Sequence, residues 1–281
     1  MVWRRPGINV FRDVRGLPCR SLHTIAQSRL PARTGGGNPK LPPRVAPPHT
    51  SQQVFALSSS SRPVFDRSFS AFLFDMDGTI INSIPATERV WSNWARKHGL
   101  DVATFLPTMH GVRGIDTITR LGLPGVDPVT EAKEVERAEM EDVEGIVPIA
   151  DAIRFLSALP AGRWGIVTSA PVALAHRRLA ATGIPLPTVI VTADDVTKGK
   201  PAPDGYILGA QRLGFDPADC LVFEDVPAGI LAGEGAGAHV AVMTATHHHP
   251  IETSHPLLTS YEDLTTEVGA DGKLTLVRTA A

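Results

Sequence analysis

The segment FLFDMDGTIINS, residues 72–83, places two aspartates directly after an apolar run. Asp75 and Asp77 would lie at the end of a buried strand, where an unpaired carboxylate costs on the order of several kcal/mol. Three later apolar runs also end in, or lead into, polar side chains. These are Thr168 and Ser169, Lys198 and Lys200, and Glu224 and Asp225. Carboxylates, hydroxyls and an ammonium group therefore follow four separate predicted strands.

The carboxyl ends of parallel strands meet at one edge of an open sheet, and ligands bind there. Three or four carboxylates at that edge would repel one another and raise one another's pKa. A hard divalent cation removes this repulsion, and Mg²⁺ favours a few carboxylate oxygens together with water and a phosphate. Each motif alone has a plainer explanation, such as a turn, a helix N-cap or a solvated lysine. Their occurrence in order, one after each strand, predicts a Mg²⁺ site with a lysine.

The sheet that would hold these residues is predicted from five short apolar runs. They are residues 70–77, 163–170, 188–195, 219–226 and 239–243. Two helical faces between them consist of Ile149, Ala152, Ile153, Leu156 and Leu159, and of Tyr206, Ile207, Ala210 and Leu213 before Gly214. Alternation of strands and helices at this length predicts βαβ units. The predicted fold class is therefore α/β, a doubly wound, Rossmann-like parallel sheet.

Residues 83–147 interrupt this alternation with three helical patterns. They are Val90, Trp91, Trp94 and His98; Ile115, Ile118 and Leu121; and a segment that begins at Asp127-Pro128, an N-cap followed by an N1 proline. Because the insertion follows directly after the two aspartates, a helical cap is favoured over a thickened core. The predicted domains are a catalytic core of residues 69–82 and 148–281 and a cap of residues 83–147.

The amino-terminal part differs in composition from the rest. Residues 1–70 contain 11 Lys or Arg and 2 acids, a net charge of +9, so the remainder, with 16 against 27, carries −11. Residues 1–68 are predicted to be a disordered extension. It is either an organellar transit peptide or sequence upstream of the true start, so the predicted location is cytoplasmic or, with a transit peptide, organellar. The acidic remainder argues against a nucleic-acid partner, and no apolar run reaches the about 20 residues of a membrane span.

Four motifs carry a resemblance to a known family. DMDGT, VTSA, KGKPAPD and FEDVPAGI, within about residues 71–276, resemble the motifs of the haloacid dehalogenase superfamily in its branch with a small helical cap. Within that superfamily the chain is similar to bacterial sugar and hexitol phosphatases and to fungal glycerol-phosphate and 2-deoxyglucose-6-phosphate phosphatases. The resemblance implies a Mg²⁺-dependent phosphatase that forms an aspartyl-phosphate.

The resemblance also implies a role for each motif residue. Asp75 would be the nucleophile, Asp77 the general acid and base, and Lys200 the cation between nucleophile and phosphate. Thr79 would hold the turn, while Ser169 and the amide of Ala170 would bind phosphate oxygens. Mg²⁺ would be bound by the Asp75 carboxylate, the Asp77 carbonyl and Asp225, with Glu224 in a secondary role.

Two residues of the predicted cap are candidates for reading the substrate. His110 and Arg113, in the segment MHGVRGID, would face the cleft and contact substrate hydroxyls or a second anion. The alternative is that Arg113 pairs with Asp116, three residues further on. The run HHHP, residues 247–250, is interpreted as structural or incidental and not as a metal site. Residues 266–278 are predicted to form a hairpin around Asp271-Gly272.

The expected function is hydrolysis of small sugar or polyol phosphates by a monomer or weak dimer. A sugar phosphomutase resembling β-phosphoglucomutase is the alternative within the same superfamily, because it needs the same core motifs. Dehalogenation is disfavoured, since it needs no second acid at Asp77. A catalytically silent binding protein is disfavoured because the nucleophile, the lysine and the metal-binding acid are all in place.

Overall fold

The computed structural model describes residues 61–279. Within them lie eleven strands, β1 (Arg62–Pro63), β2 (Ala71–Phe74), β3 (Ile81–Asn82), β4 (Val147–Pro148), β5 (Trp164–Val167), β6 (Val189–Val191), β7 (Cys220–Glu224), β8 (His239–Met243), β9 (Leu257–Leu258), β10 (Leu264–Val268) and β11 (Leu274–Arg278). The same residues form eight α-helices, α1 (Ile84–Lys97), α2 (Val102–Phe105), α3 (Gly114–Leu121), α4 (Pro128–Glu141), α5 (Ala152–Ser157), α6 (Val172–Thr182), α7 (Asp204–Leu213) and α8 (Pro227–Gly235). Across residues 61–279, every helix is too short or too polar to cross a membrane.

Six strands form a central sheet in the order β6-β5-β2-β7-β8-β9, with parallel pairing throughout. β2, β5 and β7 are buried along their whole length, as a parallel sheet covered on both faces requires. From β2 the chain runs outward through β5 and β6, and then crosses to β7 and β8 on the other side of β2. All five predicted strands are confirmed, and so is the doubly wound α/β fold.

An aromatic cluster on one face of the sheet supports the ends of β2 and β7. Phe74 stacks on Phe223 with ring centroids 4.4 Å apart, and Phe72 lies 5.3 Å from Phe223. Phe155 and Tyr261 complete the cluster, with their centroids 5.1 Å apart. All five side chains are at most 1% exposed. The polar residues that follow β2 and β7 therefore extend from tightly packed strands.

Helices α1 to α4, called here the inserted helices, leave the sheet and return to it through a short ribbon. β3 and β4 pair antiparallel, with Ile81 opposite Pro148 and Asn82 opposite Val147. The inserted helices have a hydrophobic cluster of their own, built around Trp91 and Trp94. Asp127 caps α4 by accepting a hydrogen bond from the Thr130 amide, which confirms the predicted start of this helix. The separate cluster supports the predicted cap of residues 83–147, whose boundaries stay a prediction.

The structure corrects two details of the sequence analysis. Ile153 was expected on the buried face of its helix, but it is 37% exposed and Phe155 is buried instead, because α5 begins only at Ala152. The extension predicted for residues 1–68 is too long by several residues, because β1 pairs with β11 and Val64 and Phe65 pack against the core. Residues 1–60 lie outside the described residues.

The predicted carboxy-terminal hairpin is confirmed. β10 and β11 pair antiparallel on either side of the turn that contains Asp271 and Gly272. With β1 they form a separate three-stranded sheet, in the order β1-β11-β10. Leu274 and Leu276 of β11 are buried in the main core, so the hairpin covers one side of the central sheet.

Phe223→Ala should lower the free energy of unfolding by about 3–5 kcal/mol, because it removes a buried ring and leaves a cavity among the other aromatic side chains. Urea unfolding of the full chain measures this loss. Val268→Ala is the control: Val268 is 53% exposed, and its truncation should change stability by about 0.5 kcal/mol or less. A loss below about 1 kcal/mol for Phe223→Ala would show that the aromatic cluster does not carry the stability of the sheet.

Candidate active site

The loop after β2 brings Asp75 and Asp77 to the carboxyl edge of the sheet. The Asp75 amide donates to the Phe223 carbonyl at 2.9 Å, so β7 holds the start of the loop. Gly78 has a φ of +92°, and a Cβ at this position would lie 2.0 Å from Oδ2 of Asp225. Glycine is thus required here both by the left-handed backbone and by the close approach of a carboxylate. The hydroxyl of Thr79 donates to Oδ1 of Asp225 at 3.3 Å.

Lys200 lies between two of the acids, at 6% exposure. Its ammonium group is 2.5 Å from Oδ1 of Asp75 and 2.6 Å from Oε1 of Glu224, and it donates to the Val167 carbonyl at 3.2 Å. Burial by itself lowers the pKa of Lys200, but the two carboxylates raise it overall. The ammonium group therefore stays charged. Lys198 is exposed, as expected for a charge at the rim.

Three buried carboxylates lie close together here, and two of them pair with the ammonium group of Lys200. Asp75, Glu224 and Asp225 are at most 5% exposed and each offers an oxygen atom within 4.8 Å of the others. Burial raises the pKa of Asp75 to about 7, with Lys200 opposing and Glu224 and Asp77 adding to the shift. Burial also raises the pKa of Asp225 well above its usual value. Three negative groups against one positive group leave a formal charge of −2.

This donor set fits a divalent cation. A dication balances the excess charge, and carboxylate oxygens are the ligands that hard divalent ions prefer. The three acids could hold the ion between the ends of β2 and β7. Within residues 61–279, Asp225 receives one side-chain hydrogen bond, the weak one from Thr79. Asp225 thus retains acceptor capacity for a cation.

Glu224 has a second set of contacts. Its Oε1 accepts from Lys200 and from the hydroxyl of Tyr206 at 2.7 Å, and its Oε2 accepts from the Asp225 amide at 3.0 Å. A Cβ at Gly229 would lie 1.8 Å from Oε1, so α8 approaches the carboxylate closely. Glu224 therefore fixes the position of Lys200. Its predicted secondary role at the metal stays a prediction.

The predicted phosphate-binding residues follow β5 and lie along the cleft. The Ser169 hydroxyl donates to the Gly111 carbonyl of the inserted segment at 2.8 Å, and the Ala170 amide donates to the Thr168 hydroxyl at 3.1 Å. Both donors must leave these partners before they can bind a phosphate oxygen. Phosphate binding by Ser169 and Ala170 stays a prediction.

A cavity of about 270 Å³ lies between the inserted helices and the carboxyl edge of the sheet. His110 lines it and is 3.1 Å from the carboxylate of Glu88. Arg113 also lines it, and its guanidinium pairs with Asp116 at 2.6 and 3.0 Å, which is the alternative that the sequence left open. The same guanidinium donates to the Val196 and Thr197 carbonyls at 2.9 and 3.0 Å. Arg113 thus connects the inserted helices to the loop that carries Lys200.

The sequence analysis missed a buried arginine beside Asp77. Arg178 of α6 is 4% exposed and lies 3.0 Å from Oδ1 of Asp77 and 3.1 Å from Oε1 of Glu139. Burial by itself lowers the pKa of Arg178, but the two carboxylates raise it overall. One signal was present in the sequence: Arg178 is four residues after Leu174 and precedes Leu179, both of which are buried. An arginine on the apolar face of a helix needs a buried acid.

The fold and the site together define a hydrolase with a parallel-sheet core and an acidic centre at its carboxyl edge. Residues 69–237 match the haloacid dehalogenase-like hydrolases, and the match covers more than half of the chain. The chain belongs to this family, which confirms the resemblance drawn from its four motifs.

Individual relatives agree with this assignment. Hexitol phosphatase A of Escherichia coli is 45% identical over 183 residues, which are 64% of this chain and 85% of that protein. Glycerol-1-phosphate phosphohydrolase 2 of Saccharomyces cerevisiae is 34% identical over 194 residues, covering 63% of this chain and 75% of that protein. The fold resembles the crystal structure of a haloacid dehalogenase hydrolase of family IA from Entamoeba histolytica. Its TM-score is 0.60 at 23% identity, over 70% of this chain and 95% of that one.

Asp225→Asn tests whether Asp225 helps to bind a divalent cation, because it removes one buried negative charge from the acidic cluster. Without a divalent ion the variant should unfold at a higher urea concentration than the wild type, because one buried negative charge is removed. The raised pKa of Asp225 makes the wild type lose stability as the pH rises above the unfolded value, so the advantage should be larger at about pH 8 than at about pH 5. Added Mg²⁺ or Mn²⁺ should stabilise the wild type by about 2.7 kcal/mol at 100 times its Kd, and should stabilise the variant far less.

Asp271→Asn is the control, since Asp271 is exposed in the β10–β11 turn. It should respond to the ions as the wild type does. Equal stabilisation of Asp225→Asn and the wild type would show that Asp225 is not a ligand.

Proposed function

We propose that this protein is a Mg²⁺-dependent phosphatase that hydrolyses small sugar or polyol phosphates through an aspartyl-phosphate. The observation that carries the proposal is the pairing of Asp75 with Lys200 inside a cluster of three buried acids. A carboxylate is a competent nucleophile toward phosphorus when cations neutralise the incoming dianion. The names of the relatives, a hexitol phosphatase and a glycerol-phosphate phosphohydrolase, support the substrate class.

In the first half of the reaction, a carboxylate oxygen of Asp75 attacks phosphorus while the bond to the sugar oxygen breaks. Mg²⁺, held by Asp75, Asp225 and the carbonyl of Asp77, would neutralise charge on the phosphoryl oxygens. Lys200 balances the remaining charge, and because Glu224 and Tyr206 fix its position, it need not reorganise during transfer. Asp77 gives its proton to the departing alkoxide.

In the second half, Asp77 acts as the base. It takes a proton from water, the hydroxide attacks phosphorus, and the bond to Asp75 breaks, which releases inorganic phosphate and restores both acids. A phosphomutase would instead return the phosphoryl group to another sugar hydroxyl. The similarity to named phosphatases favours water as the acceptor.

For substrate selection we assign different roles to the two predicted cap residues. The guanidinium of Arg113 is engaged by Asp116 and by two carbonyls of the core. Its task is therefore to hold the inserted helices against the Lys200 loop. Among residues 61–279, His110 has one side-chain partner, Glu88, and its ring lines the cavity next to the predicted phosphate site. We therefore propose His110 as the residue that reads substrate hydroxyls.

The purified wild type should release phosphate from a panel of hexose, hexitol and glycerol phosphates in the presence of Mg²⁺, and EDTA should abolish that release. Asp75→Asn should lower kcat by at least about 10⁴-fold while the protein stays folded, because the nucleophile is lost and the shape is kept. Substantial turnover by Asp75→Asn would contradict its role. Conversion of β-glucose 1-phosphate to glucose 6-phosphate without net phosphate release would identify the mutase alternative.

His110→Ala should raise KM for sugar phosphates while leaving KM for p-nitrophenyl phosphate within about twofold, because the aryl ester has no hydroxyls to read. Arg113→Ala should raise KM for both esters to a similar degree, since it loosens the cap without removing a substrate contact. Steady-state kinetics on the two esters give both comparisons. A larger selective effect in Arg113→Ala than in His110→Ala would return the reading role to the arginine.

A further inference from the structure

Arg178 is the charged residue closest to Asp77 that the proposed reaction leaves without a task. It belongs to α6 in the core, and its guanidinium reaches two residues of the inserted helices. One NH2 group is 2.8 Å from the Thr87 hydroxyl of α1 and 3.1 Å from the Glu139 carboxylate of α4. The other lies 3.0 Å from Oδ1 of Asp77. A single buried side chain therefore links the proposed acid and base to two of the inserted helices.

The two carboxylate oxygens of Asp77 differ in their contacts. Ser83, next to the β3–β4 ribbon, donates to Oδ1, and the Arg178 guanidinium forms an ion pair with the same oxygen. Within residues 61–279 the structure shows no donor on Oδ2. Because arginine has no acceptor and Oδ1 already faces a hydroxyl donor and a cation, a proton on Asp77 belongs on Oδ2. The side chain of Asp77 is 24% exposed and lines the cavity. The Ser83 hydroxyl and the Arg178 guanidinium thus hold one oxygen of Asp77 in place and leave the other for proton transfer.

The contact between Arg178 and Oδ1 of Asp77 depends on the inserted helices. Glu139 and Arg178 are 7% and 4% exposed, and a buried charge that loses its partner is strongly unfavourable. If α4 and α1 withdraw, the guanidinium loses Glu139 and Thr87 together and is exposed to water. Its only remaining side-chain partner among the described residues is Asp77. The docking of the inserted helices therefore determines the position of the Arg178 guanidinium. Through the guanidinium it also determines the position of Oδ1 of Asp77.

We propose that Arg178 is a positioning residue that fixes Oδ1 of Asp77 and makes this fixation depend on the docking of α1 and α4 through Thr87 and Glu139. The inference rests on the proposed function, since it assigns Arg178 to the acid and base of that reaction. Proton transfer by Asp77 is then efficient only when the inserted helices are closed over the substrate.

The test compares two phosphate esters. p-Nitrophenoxide departs without protonation, whereas the alkoxide of glycerol 1-phosphate needs the acid. Arg178→Gln should lower kcat/KM for glycerol 1-phosphate by about tenfold or more, within the range of general-acid catalysis, and lower it for p-nitrophenyl phosphate by about threefold or less. Glu139→Gln and Thr87→Val, which do not touch Asp77, should show the same selectivity at smaller size. In an Asp77→Asn background, Arg178→Gln should add no further selectivity.

Arg177→Gln is the matched control. Arg177 is the neighbouring, exposed residue on α6 and also contacts α4, at the Met140 carbonyl 3.3 Å away, but it does not reach Asp77. It should leave both esters unaffected. Equal losses on the two esters in Arg178→Gln, or no loss on either, would overturn the proposal. If Arg178→Gln does not fold, the selectivity of Glu139→Gln decides in the same way.

Different results would contradict the proposed phosphatase function and the proposed role of Arg178. No hydrolysis of either ester by the wild type would remove the proposed function itself. A wild type that hydrolyses both, with a selective loss in Asp77→Asn but none in Arg178→Gln or Glu139→Gln, would remove only the role of Arg178.

Discussion

The structure depends on one electrostatic constraint: three buried carboxylates lie together, and a single ammonium group pairs with two of them. Ionising Asp75, Glu224 and Asp225 together without a further positive charge is unfavourable. Burial raises the pKa of Asp75 to about 7, with Lys200 opposing the shift and Glu224 and Asp77 adding to it. The site thus has a deficit of positive charge that a divalent cation would make up. Packing supplies the rigidity, since the two chain segments that carry these acids extend from β2 and β7, whose aromatic residues interlock.

The constraint also explains where small residues are needed. Gly78 leaves space for Asp225, and Gly229 leaves space for Glu224. In both cases a methyl group would push a buried carboxylate away from its partners and disturb Lys200 through the shared contacts. Tyr206 also holds Glu224 in place, because its hydroxyl donates to Oε1, the oxygen that pairs with Lys200. A large part of the core around the sheet edge therefore serves to hold four charges in place.

Which site residues could be predicted from the sequence depends on how far apart the interacting residues are in the chain. Asp75, Lys200 and Asp225 were predicted because each follows an apolar run, and a parallel sheet brings such strand ends together. The helix face around Ile153 was mispredicted because the periodicity was read across residues that precede α5. Arg178 and Glu139 were missed because they meet only when an inserted segment folds back onto the core. Arg178 lies 101 residues after Asp77 and 39 residues after Glu139 in the chain. A local sequence pattern cannot predict contacts over such separations.

Several of the contacts that join the inserted helices to the catalytic edge are polar. Ser169 bonds to Gly111, Arg113 bonds to the Val196 and Thr197 carbonyls, and Arg178 bonds to Glu139. Water can replace each of these contacts when the interface opens, whereas an apolar interface would resist opening. The packed apolar cluster around Trp91 and Trp94 lies within the inserted helices, so these helices pack on one another. A site that must admit a substrate and then exclude water needs inserted helices that pack firmly on one another, and contacts to the core that water can replace.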